Sequence, residues 1–527
     1  MTRDGLEQAN REELIELALS IHAVAEQEKS RAEQEKARRV EAERQLAWLR
    51  KQLFGTKSEK RSGPIAEVSQ LSLGEAMQGE SRSVEKTLTV KAHARVISKA
   101  PEPKDEPALR FDDSVPKTRR VILPPEVAGL DESEYEVIGE RVTQRLVQIP
   151  AAYRIDEIVR PVVKLKSEGR IVTAPAELGV LERCLADVSL LVGLLLDKFR
   201  FHLPLYRQHQ RMQAAGIHLA RSTLTDWVHR TIDLLRPIYD AQLASILTSR
   251  VLAMDETPIK AGRSGPGKMK QGYYWPVFGD QNELAFPFAT SRGHDHAVKI
   301  LGEYCGTLIS DDYGAYEAYA AKRDEVTRAS CWAHVRRKFV EAEGVEPERV
   351  ARALEWIRAI YRIEEEIREE KLEGEAKLAR RSTQSRPLVE ALFAGLKQEL
   401  VASALLPTNP FTEAARHAIK LRAPLEVFLS DPAVPIDTNH LERGLRPIPM
   451  GRKAWLFCWT EVGAEKVGII QSLITTCVLQ GVDPYTYLVD VLQRVAIHPQ
   501  REIADLTPRL WKEKFAKQAM PSPALAG

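Results

Sequence analysis

Between residues 249 and 345 the chain alternates apolar runs with turns: RVLAMDETPIK, GYYWPVFGD and ELAFPFATS, then a helical stretch near 295–304, then GTLISDD. Three consecutive strands, one helix and a fourth strand is the order of a ribonuclease-H-like sheet, so the fold class expected is α/β. The first run carries Asp255 and the fourth ends on Asp311. A charged side chain in such a run is costly unless something pairs with it. A third acid, Glu442, lies in IDTNHLERGLRPIPMGRKAWLF, a polar and basic stretch that reads as the start of a helix.

Asp311 follows Asp255 by 56 residues, and Glu442 follows Asp311 by 131. The larger gap is filled by the almost wholly helical residues 346–430, which fits a helical insertion ahead of a closing helix. At 527 residues the chain is too long for a single core, and several units are expected. Residues 1–61 read as a coiled-coil helix, 62–118 as a flexible linker and 119–178 as a small β-rich unit. Residues 179–246 read as a helix-turn-helix region, 247–345 as the first part of a catalytic core and 346–432 as the insertion. The core closes over 433–496, and 497–527 form a C-terminal tail.

In the first unit Leu14, Leu17, Ile21 and Val24 alternate spacings of three and four, and the pattern resumes at Ala42, Leu46, Leu49 and Leu53. A self-associating helix and a single solvated helix both fit that pattern. In LPLYRQHQRMQAAGIHLARSTLTDWVHRTI two helical patterns, roughly 203–213 and 221–231, are broken at Ala215-Gly216-Ile217, with Ser222 or Thr223 near the second cap. Arg221, Ser222 and Thr223 are then candidate DNA contacts, although an ordinary helical hairpin has the same spacing.

Charge and cysteines narrow the classes. A net charge of +2 from 76 basic and 74 acidic residues decides nothing by itself, since local segregation can be strong. The five cysteines are far apart without a CxxC pair, so neither a disulfide framework nor a zinc ribbon is indicated, and the cytoplasm is the natural compartment. No signal peptide is read at residues 1–20, and no apolar run reaches the ~18 residues of a membrane helix.

Three acids drawn from distant segments make an oxygen-rich site suited to Mg²⁺ or Mn²⁺, and hard cations holding phosphate oxygens are the chemistry of strand cleavage and joining. Nucleic acid is the substrate class this points to. Asp255 is the best placed to bridge two ions, with Asp311 and Glu442 each completing one. Successive strand residues face opposite sides, so one of Asp255 and Glu256, and one of Asp311 and Asp312, is expected to point away. Asp437 precedes Glu442 by five residues and is expected off its helical face. On residues alone other combinations of acids stay open.

Arg443, Arg446, Arg452 and Lys453 surround the third acid and suit phosphate. The aromatics after them, Trp455, Phe457 and Trp459, are more readily packing residues than base-stacking ones. In CWAHVRRKF at 331–339, Cys331 and His334 are too few for a zinc site, which leaves His334 a structural or DNA-orienting role. Arg336 and Arg337 beside it are further candidate DNA contacts.

These segments resemble the large transposase of the IS sixty-six group of bacterial insertion sequences. The similarity is carried by LRKQLFGTKSEK at 49–60, HLPLYRQHQRMQAAGIHLARSTLTDW at 202–227, MDETP at 254–258, CWAHVRRKF at 331–339, NHLERGLRP at 439–447, GRKAWLF at 451–457 and SLITTCVLQGVDPYTYL at 472–488. The resemblance implies an acidic triad on Asp255, Asp311 (with Asp312 in place of the family's Gly) and Glu442. It also implies a DNA transposase that binds element ends, cleaves the 3′ strands with Mg²⁺ and joins them to target DNA. Homo-oligomers through the coiled coil and smaller accessory proteins of the same element are implied partners, with no membrane. Proteins of this group commonly carry a cysteine-rich zinc segment, but residues 119–178 contain no cysteine, so no zinc is expected. Two other classes fit less well: a catalytically silent, transposase-derived DNA-binding regulator, and a non-specific metal-dependent nuclease.

Overall fold

The computed structural model describes residue 26 and residues 110–525, apart from 112–114, 128–130, 150–151, 167–168, 177–178, 403–404 and 456–457. The expected coiled coil, but for Glu26, and most of the expected linker lie outside the described residues. The chain divides into two units, Met1–Glu106 and Pro107–Gly527, and the second is the one described.

A five-stranded sheet forms the centre. Its spatial order is Leu284–Ala285, Val277–Phe278, Val251–Met254, Gly306–Ser310, Val326–Ser330. The first three pair antiparallel and the last three parallel. A second sheet of three strands joins Thr257–Gly265, Lys268–Tyr274 and Phe288–Ala289. Each of the three apolar runs therefore passes from one sheet to the other instead of making one strand. The second and third break at Trp275-Pro276 and Phe286-Pro287, where proline has no N–H to give a ladder. The first breaks at Asp255-Glu256.

The exposed backbone of the edge strand is covered by the helix Glu461–Leu479. Ser472 Oγ accepts from Phe286 N at 2.8 Å, Thr476 Oγ1 accepts from Leu284 N at 3.1 Å, and Gln242 Nε2 donates to Leu284 O at 2.9 Å. Edge groups that would otherwise be left buried and unpaired are thus satisfied by side chains. The approach is close enough that a Cβ on Gly468 would lie 2.3 Å from the carbonyl oxygen of Phe286, which restricts this position to glycine. By length and composition this helix could cross a membrane, yet 72% of its apolar window is buried inside the chain.

Upstream, Tyr135–Ile149 and Ala152–Leu165 form an antiparallel hairpin with strands of 15 and 14 residues, flanked by Lys117–Val121 and Ile171–Thr173. The helices Leu205–Ala214 and Arg221–Ile246 follow the buried helix Val188–Phe199. The second of the pair runs 26 residues, far past the expected 231, because its apolar face continues through Leu235, Ile238 and Ile246 into the core. Its N-cap is Ala220, with no side-chain cap hydrogen bond, so Ser222 and Thr223 lie within the first turn and do not cap it.

The helix Trp332–Ala342 leads into the helical insertion, which runs through Pro347–Glu369, Arg386–Ala402 and Pro410–Lys420. Arg381, fully buried on a π-helical turn, forms a two-pronged pair with Glu364 at 2.8 and 2.7 Å. It also donates to the carbonyls of Phe428, Asp431 and Val434, tying the insertion to the segment that leads towards Glu442. Residues 500–525 pack back on the helix Pro484–Arg494: Asp490 Oδ2 accepts from the indole of buried Trp511 at 2.6 Å, and Oδ1 from Met520 N at 2.6 Å. Replacing Arg381 by Met strands the buried Glu364 carboxylate and three carbonyls, and a loss of about 3–5 kcal/mol in urea unfolding is expected. Pairing it with Glu364→Leu should recover part of that loss.

Candidate active site

The two central parallel strands end together. Thr307, Leu308 and Ile309 pair with Val251, Leu252 and Ala253, so continuing that register two residues sets Asp311 beside Asp255. Glu442 arrives differently. The turn after the third parallel strand grips the approaching chain: Trp332 N donates to Ile436 O at 3.1 Å, and Thr438 N and Oγ1 bond to Cys331 Sγ at 3.3 and 3.2 Å. Glu442 then falls in the first turn of the helix Asn439–Leu445. Each of three neighbouring strand ends thereby delivers one acid.

The result is a cleft of about 660 Å³ lined by Asp255, Asp311 and Glu442 with Glu256, His334 and Arg337, and rimmed by Arg443 and Arg446. Carboxylate oxygens of Asp255, Glu256 and Asp311 lie within 4.8 Å of one another. Glu256 thus joins the cluster that strand alternation assigned to only one of the Asp255–Glu256 pair. The alternation argument fails because the strand ends at Met254, and both acids sit in the crossing to the second sheet. Glu256 is held by Arg292 Nε at 2.6 Å and by the Tyr316 hydroxyl at 2.9 Å, and the Arg292 guanidinium lies 3.9 Å from the centroid of the Tyr313 ring. Sequence reasoning did not place Glu256 in the cleft or single out Arg292 and Tyr316, which hold it; only the MDETP block hinted at the first.

Glu442 is not in that trio. Its Oε1 lies 3.3 Å from Arg337 and 3.8 Å from Nε2 of His334. Burial, with the Arg337 charge adding to it, pushes the His334 imidazole down, and its buried Nδ1 has no hydrogen-bond partner among the described residues. Asp312 is engaged elsewhere, by Arg328 at 2.9 Å and Lys420 at 3.2 Å. Burial works against ionising it, but these partners prevail and hold it below the usual range. Asp437 accepts from the backbone of Asn439 at 3.0 Å and from its side chain, away from the cleft lining.

Of the expected DNA contacts, Arg337, Arg443 and Arg446 line the cleft, and Arg336 lines the pocket next to it. Arg452 donates to the Pro258 carbonyl and Lys453 is exposed on the same helix; neither lines the cleft. Arg221, Ser222 and Thr223 also stand outside it, with the Arg221 guanidinium 5.6 Å from the Tyr206 ring centroid. Trp455 packs over Gly451, Trp459 is 60% exposed under Arg263, and Phe457 lies outside the described residues.

Burial raises the Asp255 carboxyl to about 7, and the charges of Glu256, Asp311 and Glu442 push the same way against one backbone hydrogen bond. An all-oxygen donor set under that like-charge pressure fits a hard divalent cation, which would relieve it. The folded chain holds a proton on Asp255 that the unfolded chain releases near pH 4, so stability falls as pH rises from about 4 to 7. In EDTA at pH 8, Asp255→Asn should therefore be more stable than the wild type by roughly 2–4 kcal/mol, and the gap should close towards pH 4. Thermal unfolding across that range measures it.

The cleft lies on a mixed α/β core, and the family that the chain matches is one of DNA-processing enzymes. Residues 183–466 match the Transposase IS66 family and residues 472–509 the IS66 C-terminal element. An uncharacterized protein, y4hP, of Sinorhizobium fredii is 30% identical over 509 residues, spanning 91% of this chain and 90% of its own. A second from the same organism, y4qI, also uncharacterized, is 29% identical over 431 residues, 79% of each chain. The chain belongs to the IS66 transposase family.

Proposed function

We propose that this protein is the transposase that binds the ends of its mobile element, hydrolyses the 3′ strands with Mg²⁺ and joins the freed ends to target DNA. The observation that carries the reading is the meeting of Asp255, Asp311 and Glu442 in one arginine-rimmed cleft. The strand order, with the second strand of the core sheet antiparallel to the first and the fourth and fifth parallel to it, supports a ribonuclease-H-like core.

Asp255, Asp311 and Glu442 would hold two Mg²⁺ or Mn²⁺ ions, which when bound activate water or a 3′-hydroxyl and stabilise the leaving oxygen. Asp255, at the end of the central strand, would be the most rigidly placed of the three ligands. Glu256, clamped by Arg292 and Tyr316, keeps the first crossing segment in place and adds negative charge to the cation site. Arg337 holds Glu442 in the free protein, and with Arg443 and Arg446 offers guanidinium groups to phosphate oxygens. The helix pair Leu205–Ala214 and Arg221–Ile246, with Arg221, Ser222 and Thr223 at its turn, is the proposed region that grips the element ends; Arg452 and Lys453 would touch DNA outside the cleft. Assembly through the N-terminal residues and help from accessory proteins of the same element complete the reading.

The test uses duplex DNA carrying the inverted repeats that flank the gene. Wild-type protein should nick it only with a divalent cation. Asp255→Ala should lose more activity than the ~10–100-fold that removal of an outer partner costs, while Arg292→Ala should lose about that much. Cleavage that persists in Asp255→Ala, or that ignores the repeat sequence, refutes the assignment.

A further inference from the structure

Beside the acidic cleft lies a second pocket, of about 400 Å³, lined by Arg336, Arg337, Arg358, Tyr361 and Asn439. It shares Arg337 and Asn439 with the cleft, so the two spaces adjoin. Arg336 and Arg337 come from the helix Trp332–Ala342, whereas Arg358 and Tyr361 come from Pro347–Glu369 in the helical insertion. Their spacing of three places the latter two on one helix face.

The chemistry of this pocket is one-sided. Three arginines line it, and among the described residues Arg337 alone of the three forms an ion pair, with Glu442 at 3.3 Å. Asp437, whose charge is felt at Tyr361, is occupied by Asn439. Tyr361 completes the lining, its buried hydroxyl set against the Asp437 carboxylate. Forked cations match an oxyanion with several acceptor oxygens better than a carboxylate or a base edge.

Building on the transposase reading, we propose that this pocket seats a backbone phosphate of the DNA strand whose neighbouring phosphate occupies the acidic cleft. Arg358 and Tyr361 are then positioning residues: the insertion sets the register of the strand over the carboxylates without touching the bond that breaks. Phosphate contacts of this kind fix the position of a duplex without reading its sequence.

The experiment measures binding of wild type, Arg358→Ala and Tyr361→Phe to the terminal-repeat duplex in EDTA, with thermal unfolding as the check on folding. Arg358→Ala should bind about five- to tenfold more weakly, and the slope of log K against log salt should shrink by about 0.9, one phosphate's worth. Neutral methylphosphonates placed singly along the cut strand should weaken wild type by a similar factor at one position next to the scissile phosphate. At that position they should cost Arg358→Ala nothing further. Tyr361→Phe should show a smaller loss at the same position, and millimolar inorganic phosphate should not reproduce the position dependence. Binding of Arg358→Ala equal to wild type, or a loss shared evenly by all methylphosphonate positions, overturns the proposal. Metal-dependent nicking by wild type separates the two readings. If nicking is present while Arg358→Ala binds normally, only the phosphate seat fails; if wild type neither binds nor nicks the repeat, the transposase reading fails as well.

Discussion

The parallel pairing of Val251–Met254 with Gly306–Ser310 is the constraint on which the rest of the molecule turns. Once those backbones are in register, Asp255 and Asp311 have to stand side by side, and repulsion between them is built into the fold. The surroundings manage that repulsion without removing it. Arg292 and Tyr316 take Glu256, and Arg328 and Lys420 take Asp312, while among the described residues Asp255 and Asp311 each accept only from a backbone N–H, at 2.7 and 3.0 Å. Neighbouring acids are paired with protein cations, and the proposed role of the pair at the strand ends is to take a cation from solution.

Much of this was legible in the chain itself, for physical reasons. Acids that close apolar runs are conspicuous because burial makes them expensive, and Asp255 and Asp311 stood out on that ground. Glu442 was visible only through its polar, basic surroundings, and the interaction that positions it, the grip of Cys331 and Trp332 on residues 436–438, joins segments about a hundred residues apart with no periodic signature. Glu256 was misjudged because period-two alternation holds only while a strand continues, and here the strand stops one residue before Asp255. The division of each apolar run between two sheets was likewise hidden, although Pro276 and Pro287 mark two of the three breaks.

Helices were easier to detect than to place. The apolar periodicity of 221–246 was legible as a helix, but its full length follows from packing against Glu461–Leu479, a tertiary fact. That latter helix carries Ser472 and Thr476 within an apolar stretch, and their purpose appears only when the edge strand they satisfy is in view. Arg381 gave no signal at all, since a lone arginine in a helical region is ordinarily solvated, and its burial depends on Glu364 and three carbonyls from elsewhere.

The hydrogen bond from Trp332 N to Ile436 O brings together the two ends of the whole helical excursion between the second and third acids. A detour whose entrance and exit are stapled at one doorway can change in length or content at little entropic cost to what lies behind it, because loop closure depends only weakly on loop size. Related chains could therefore vary the part of this excursion beyond Trp332–Ala342, whose His334 and Arg337 line the cleft, acquiring new grips on their substrates while keeping the acidic cleft unaltered.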